Sequence, residues 1–286
     1  MSASAPREVV DAHQHLWKPS EFSYSWLEGL PALNRDFLYE DYLAAIAKTP
    51  IRKSVFVECD IDSPLQLEEV EWVSRYAALS GSSIAGMVAS CRPEEAGFES
   101  YLEKLQSFPL VKGLRRVLHV APPGVMESSL FAENIAKLAN YAYTFDLCVL
   151  PAQLPTIFKL VSANPGVTFI LDHCGVPDIK SNELDPWREN LRQLASCLNV
   201  YCKISGLVAY ADPSSCDATT LKPYFDHAVE CFGAQRILWG GDWPVCTLAT
   251  TLERWWEITE TLTQSWSESD STNLFSATAK KVYRLA

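Results

Sequence analysis

Eight short apolar segments recur along the whole chain, and each is followed by a stretch with helical spacing. They read as strands at roughly 8–14, 53–58, 84–89, 112–118, 146–150, 167–172, 199–204 and 236–241. Runs such as Ser54-Val55-Phe56-Val57 and Phe169-Ile170-Leu171 are apolar without alternation, which is how strands covered on both faces read. The clearest helix opens at Ser63-Pro64-Leu65-Gln66, where Ser63 can cap, Pro64 suits the first helical position and Gln66 completes a capping box. Leu67, Val70, Val73 and Ala77 continue it at helical spacing. Further helices are expected near 36–47, 95–106, 128–142, 153–163, 187–197, 219–232, 249–264 and 273–284. Eight strand–helix alternations in 286 residues, with no linker or repeat, predict one domain over 1–286, a single α/β (β/α)8 barrel. A doubly wound open sheet is the alternative, but no G-x-G-x-x-G follows any strand.

A net charge of −11 without a Lys/Arg run argues against nucleic acid as a partner. Met1 to Glu8 lack the apolar core of a signal peptide, and no apolar run approaches the ~18 residues of a membrane span. The nine cysteines are odd in number, lack a Cys-x-x-Cys pair and mostly sit in apolar stretches. Reduced, buried thiols and a cytoplasmic setting are expected, with self-association left open. Cys174 next to His173 is a weaker nucleophile candidate, since on a strand it faces away from its neighbour.

In a barrel of this kind, functional groups sit where strands end and the following loops open. His13, His15, Glu58, Arg115, His173 and Asp242 all fall at or near such ends. His13 and His15 are two residues apart, so they share a strand face. Asp242 follows Gly240 and Gly241, which let backbone or substrate approach closely; it can serve as a general base toward water. His173 is placed to polarise a carbonyl or bind a metal. Arg115 and Arg116 are adjacent, so one faces the cavity; Arg115 is preferred as an anchor for a developing oxyanion. Glu58 can bind substrate hydroxyls or neutralise Arg115. His119 lies just past the fourth strand, and His227 sits in a helical stretch as a packing residue. Trp17, Trp26 and Trp243 flank these motifs as aromatic walls. Imidazoles and a carboxylate at one rim are the parts of a hydrolase.

The His13-x-His15 opening, Tyr24-Ser25-Trp26-Leu27, Lys112-Gly113-Leu114-Arg115, Leu171-Asp172-His173, Lys203-Ile204-Ser205-Gly206 and Gly241-Asp242-Trp243-Pro244 resemble the amidohydrolase superfamily. More narrowly they resemble its lactonase branch, from Val10 to Leu285. The resemblance implies a barrel that hydrolyses a cyclic ester. Asp242 would activate water, and His13, His15, His173 and Arg115 would polarise the carbonyl. The fourth strand ends in Val117-Leu118-His119-Val120 and the fifth in Val149-Leu150-Pro151-Ala152-Gln153, without the ligands of the binuclear members. The expectation is therefore no metal, or one zinc on His13 and His15 with Asp242 or His173. The tryptophans, Glu58, Gln153 and Lys203 suit an uncharged sugar lactone of the fuconolactone kind. Muconolactone or pyrone-dicarboxylate would need more cations. A metal-dependent decarboxylase and a silent binding barrel are the remaining readings.

Overall fold

A computed structural model of the protein describes residues 8–286, so the expectation about a leader at Met1–Arg7 lies outside the described residues. Eight strands run in chain order around one sheet, and every pair is parallel. They are β1 Val9–Gln14, β2 Ile51–Val57, β3 Ile84–Ser90, β4 Val111–Val117, β5 Thr144–Cys148, β6 Phe169–Leu171, β7 Val200–Ile204 and β8 Ile237–Trp239. Between them lie α1 Tyr39–Ile46, α2 Gln66–Ala77, α3 Phe98–Leu105, α4 Ser129–Tyr141, α5 Leu154–Ala163, α6 Trp187–Ala195, α7 Ala218–Phe232 and α8 Leu252–Thr263. The expected (β/α)8 barrel is the fold. Among the described residues no helix is long and apolar enough to cross a membrane.

Closure of the ring depends on the residues singled out above. Past the end of β8, Asp242 N donates to His13 O at 2.7 Å, and His15 N donates to Trp243 O at 2.8 Å. The β1/β8 seam is thus sewn where the candidate catalytic groups stand.

Two sequence expectations shift. The structure starts α2 at Gln66, with Leu65 preceding it and no side-chain cap; Gln66 Nε2 instead donates to Ser63 Oγ at 2.6 Å. The final helix is broken into α9 Glu268–Thr272, a wide turn at Asn273–Ala277, and α10 Thr278–Val282. That break lets the chain end plug the barrel. Ala279, Val282 and Tyr283 pack against Val10, Val55, Val88, Ile170 and Leu238 inside it.

Above this apolar layer the barrel interior turns polar. Val10 and Ala12 of β1 face the apolar layer, so strict alternation would leave His13 facing the helices. Between Asp11 and Gln14 the strand takes three steps while β2 takes two, from Ser54 to Phe56. This extra residue, a bulge, turns His13 inward and keeps it beside His15.

Candidate active site

The strand ends build a two-storey polar site. The lower storey is a sealed charge network. Lys203 Nζ lies 2.7 Å from Asp146 Oδ2 and 2.8 Å from Asp172 Oδ1, all three fully buried. Tyr283 donates to Asp146 Oδ2 at 2.6 Å, joining the C-terminal plug to the network. Arg115 Nε reaches Glu58 Oε1 at 2.6 Å, its Nη1 reaches Asp172 Oδ2 at 3.1 Å, and its Nη2 donates to Glu58 O at 2.6 Å. Burial raises the pKa of Asp146 to about 6. Asp172 responds otherwise: against the same desolvation, Lys203, His13 and Arg115 hold its carboxyl well below the usual range.

The upper storey faces a cavity of about 330 Å³, whose floor carries His15, Arg115, His173 and Asp242. His13 is the hinge between storeys. Its Nδ1 lies 3.2 Å from Lys203 Nζ and 3.5 Å from Asp172 Oδ1; its Nε2 lies 3.1 Å from His15 Nε2. Asp242 Oδ1 lies 3.4 Å from His15 Nε2 and 3.7 Å from His13 Nε2. Burial and the neighbouring Lys203 ammonium push His13 well below the usual imidazole range.

The backbone is bent to make this meeting. β6 ends at Leu171, and the next turn puts His173 at φ 53° and Cys174 at φ 54°. Alternation no longer applies there, so both Asp172 and His173 enter the barrel. Asp242 also lies in the left-handed region, at φ 55°. Left-handed non-glycine residues cost of order 1 kcal/mol or more and gather at functional sites.

Three glycines make the room. A Cβ on Gly240 would stand 2.6 Å from His13 Cβ. The space expected for substrate at Gly240 is filled by His13, and that at Gly241 by Leu252 and Asp11. At Gly206 (φ +65°) a Cβ would stand 2.4 Å from His173 Nδ1, the atom that Ser205 Oγ holds at 2.9 Å. Gly206→Ala is expected to move His173 off Ser205 and to lower kcat at least about 10-fold with little change in KM. Steady-state kinetics check this; unchanged kcat would show that His173 needs no such support.

Of the other expected site residues, Trp17 and Trp26 line the cavity wall with rings 5.3 Å apart, edge to face. Their indole N–H groups are spent on backbone carbonyls: Trp17 on Leu33 and Arg35, Trp26 on Cys59. His119 lines the cavity beside Cys148, with Nδ1 3.4 Å from its Sγ, and burial lowers its pKa to about 4.

Several expectations are corrected. Of the two roles expected for Glu58 the structure shows the second: its carboxylate neutralises Arg115, accepts from Asp60 N and does not reach the cavity. Gln153 closes the turn into α5, accepting from Leu150 N and donating to Leu118 O. Trp243 turns away, packing on Phe37 and Tyr42 at 5.5 and 5.6 Å, and only its carbonyl serves the site. Lys203 is sealed beneath His13 and cannot touch a ligand in the cavity. Three other residues lie as expected: Cys174 Sγ points at Lys203 O, away from the cavity, Arg116 joins Glu94 and Asp60 outside the barrel interior, and His227 packs on Trp187 and meets Arg188 O.

Sequence reading missed Asp146, Asp172, Asp11 and Tyr210. The first three are acids within apolar strand segments, and such a charge is tolerated only when paired. Asp11 accepts from Gly241 N at 2.7 Å and Tyr42 at 2.9 Å. Tyr210 carries no such signal; it reaches the cavity from the loop after β7, its ring 6.1 Å from His173.

The donor set fits a divalent ion. His13 Nε2, His15 Nε2 and Asp242 Oδ1 lie within 4.8 Å of one another. Ligands of a tetrahedral zinc, each about 2.0–2.1 Å from it, lie roughly 3.4 Å apart, close to these separations. His15 Nδ1 donates to Val57 O at 2.7 Å, which leaves its Nε2 lone pair free. The second grouping, His13 with Asp172 and His173, fits less well because Asp172 is spent on Lys203 and Arg115.

Known proteins resemble the chain over 84% of its length or more. An L-fucono-1,5-lactonase of Burkholderia ambifaria is 28% identical over 242 residues, covering 84% of this chain and 81% of the relative. An L-fucono-1,5-lactonase of Burkholderia multivorans is 27% identical, with 96% of each chain covered. A crystal structure of an amidohydrolase from Burkholderia multivorans with bound zinc superposes with a TM-score of 0.87, at 26% identity, covering 97% of this chain and 99% of that one. The sequence profile of the amidohydrolase family matches residues 10–285. With a match of that span, the chain belongs to the amidohydrolase family.

Proposed function

We propose that the protein is a lactonase that opens an uncharged sugar lactone, of the L-fucono-1,5-lactone type, to the free acid. The observation that carries this reading is the charge balance of the cavity. Arg115 is the one Lys or Arg lining it among the described residues, and its guanidinium is committed to Glu58 and Asp172. A dianionic pyrone or muconolactone would find no free cation there. The faces of Trp17 and Trp26 suit the apolar face of a sugar ring. The two L-fucono-1,5-lactonases support the same substrate class.

In this mechanism Asp242 takes a proton from water as the water oxygen bonds to the ring carbonyl carbon. With the Ser205 hydroxyl donating to Nδ1, His173 carries its proton on Nε2 and donates it as a hydrogen bond to the developing oxyanion. Burial lowers the His173 pKa, so the group donates as a neutral imidazole. Arg115 adds positive potential from beneath. When the intermediate collapses, the ring C–O bond breaks, and the proton on Asp242 passes to the leaving alkoxide. A divalent cation, when held by His13, His15 and Asp242, supplies Lewis-acid polarisation and a more acidic water.

A proton-release assay across stereoisomeric aldonolactones, muconolactone and pyrone-dicarboxylate tests the proposal, with and without prior chelation. An aldonolactone is expected to exceed the dicarboxylates by about 100-fold in kcat/KM, the scale of leaving buried charges unpaired. Equal or faster turnover of pyrone-dicarboxylate contradicts it, and release of carbon dioxide from an aromatic acid points to the decarboxylase reading. Full activity after chelation assigns carbonyl polarisation to the imidazoles and Arg115. Loss restored by zinc assigns it to the His13/His15/Asp242 set.

A further inference from the structure

Beyond Tyr210 the catalytic cavity meets a second groove of about 530 Å³. Tyr210 lines both spaces. The same two loops also build both: Cys148 and His173 face the cavity, while Leu150 and Val176, two and three residues further along, face the groove. Leu150 is 42% exposed, a large aliphatic side chain left open to solvent beside a binding site. Pro177 and Trp187 continue the apolar surface, with the Trp187 ring pinned by its N–H donating to Cys174 O at 2.7 Å. The groove's charged residues are Asp178, Glu183 and Asp185, with no Lys or Arg among its lining.

We infer that the catalytic site extends past Tyr210 into this groove, and that the protein opens lactones whose ring carries a second, uncharged sugar ring seated there. The inference rests on the lactonase reading and adds a subsite to it. A ring against the exposed Leu150 side chain withdraws apolar surface from water on both partners, while Pro177 and Trp187, already buried, also line the groove. The ring hydroxyls then meet the carboxylates, which accept hydrogen bonds and repel an anionic substituent. Tyr210, which lines both spaces, makes no side-chain hydrogen bond to the described residues, so its hydroxyl is free for a ligand that spans them. A single-ring lactone at Asp242 leaves all of this unused.

The test compares cellobiono- and lactobiono-1,5-lactone with glucono-1,5-lactone, which shares their reacting ring, using wild type and Ala152→Trp. Ala152 lines the groove from an exposed turn and touches no part of the catalytic floor, so the bulky indole fills the subsite without disturbing the core. A disaccharide lactone is expected to have about 10-fold higher kcat/KM than glucono-1,5-lactone. Ala152→Trp is expected to remove that advantage, while single-ring turnover stays within about 2-fold. Single-ring lactones opened with neither disaccharide lactone opened would overturn the inference, as would Ala152→Trp slowing both kinds alike. If no lactone of any size is opened, the lactonase reading itself falls and takes the subsite with it.

Discussion

Asp242→Asn should lower kcat by about three orders of magnitude, roughly 4 kcal/mol of barrier, while leaving the fold intact. The amide keeps the size of the carboxylate and the φ of 55° that asparagine tolerates, but it cannot accept the proton of the attacking water. The backbone N–H of residue 242, which closes the barrel seam on His13 O, is untouched by the change. Stopped-flow or steady-state kinetics, paired with a thermal melt, check this. A variant that melts like the wild type and retains more than about a tenth of its kcat would show that some other group takes the proton.

The second large effect concerns stability. Lys203→Met is expected to cost about 3–5 kcal/mol, because it removes the cation that lies between two fully buried carboxylates. The methionine fills much of the same space, so the loss comes from charge and not from a void. Asp146, already pushed up to about 6 by burial, would take a proton and recover part of the cost; Asp172 also has Arg115 and recovers less. Urea denaturation measures the difference. A loss below about 1 kcal/mol would mean that the network is not held by this charge. The paired variant Lys203→Met/Asp146→Asn should recover stability relative to the single change, since it leaves one fewer orphaned carboxylate.

How much of this the sequence reveals depends on whether backbone alternation holds. Across β2 to β5 the apolar runs mark the strands to within two residues, and Arg115, one of two adjacent arginines, is indeed the one that enters the barrel. At β1 the inward turn of His13 depends on a bulge, which no residue type announces. At β6 alternation sets Asp172 apart from His173, yet the left-handed turn after Leu171 brings both inside. The substrate side of the reading fared differently. Glu58, Gln153 and Lys203 have the right chemistry for sugar hydroxyls, but pairing demands inside the barrel claim Glu58 and Lys203, and a turn claims Gln153. Trp243 follows Asp242 directly and is turned out by the same bend that presents the Asp242 carboxylate. Sequence order places the chemistry at the barrel mouth; only the packed structure divides the residues that touch a ligand from those that hold them.

The central proposed step is attack of water on the acyl carbon of a lactone at Asp242. Its most direct test is a single turnover of L-fucono-1,5-lactone with enzyme in excess, in water enriched in heavy oxygen, with the product analysed by mass spectrometry. One heavy oxygen in the new carboxylate and none in the released hydroxyl, formed faster than in buffer alone, is the predicted result. Heavy oxygen in the hydroxyl, or ring opening no faster than in buffer, would contradict it.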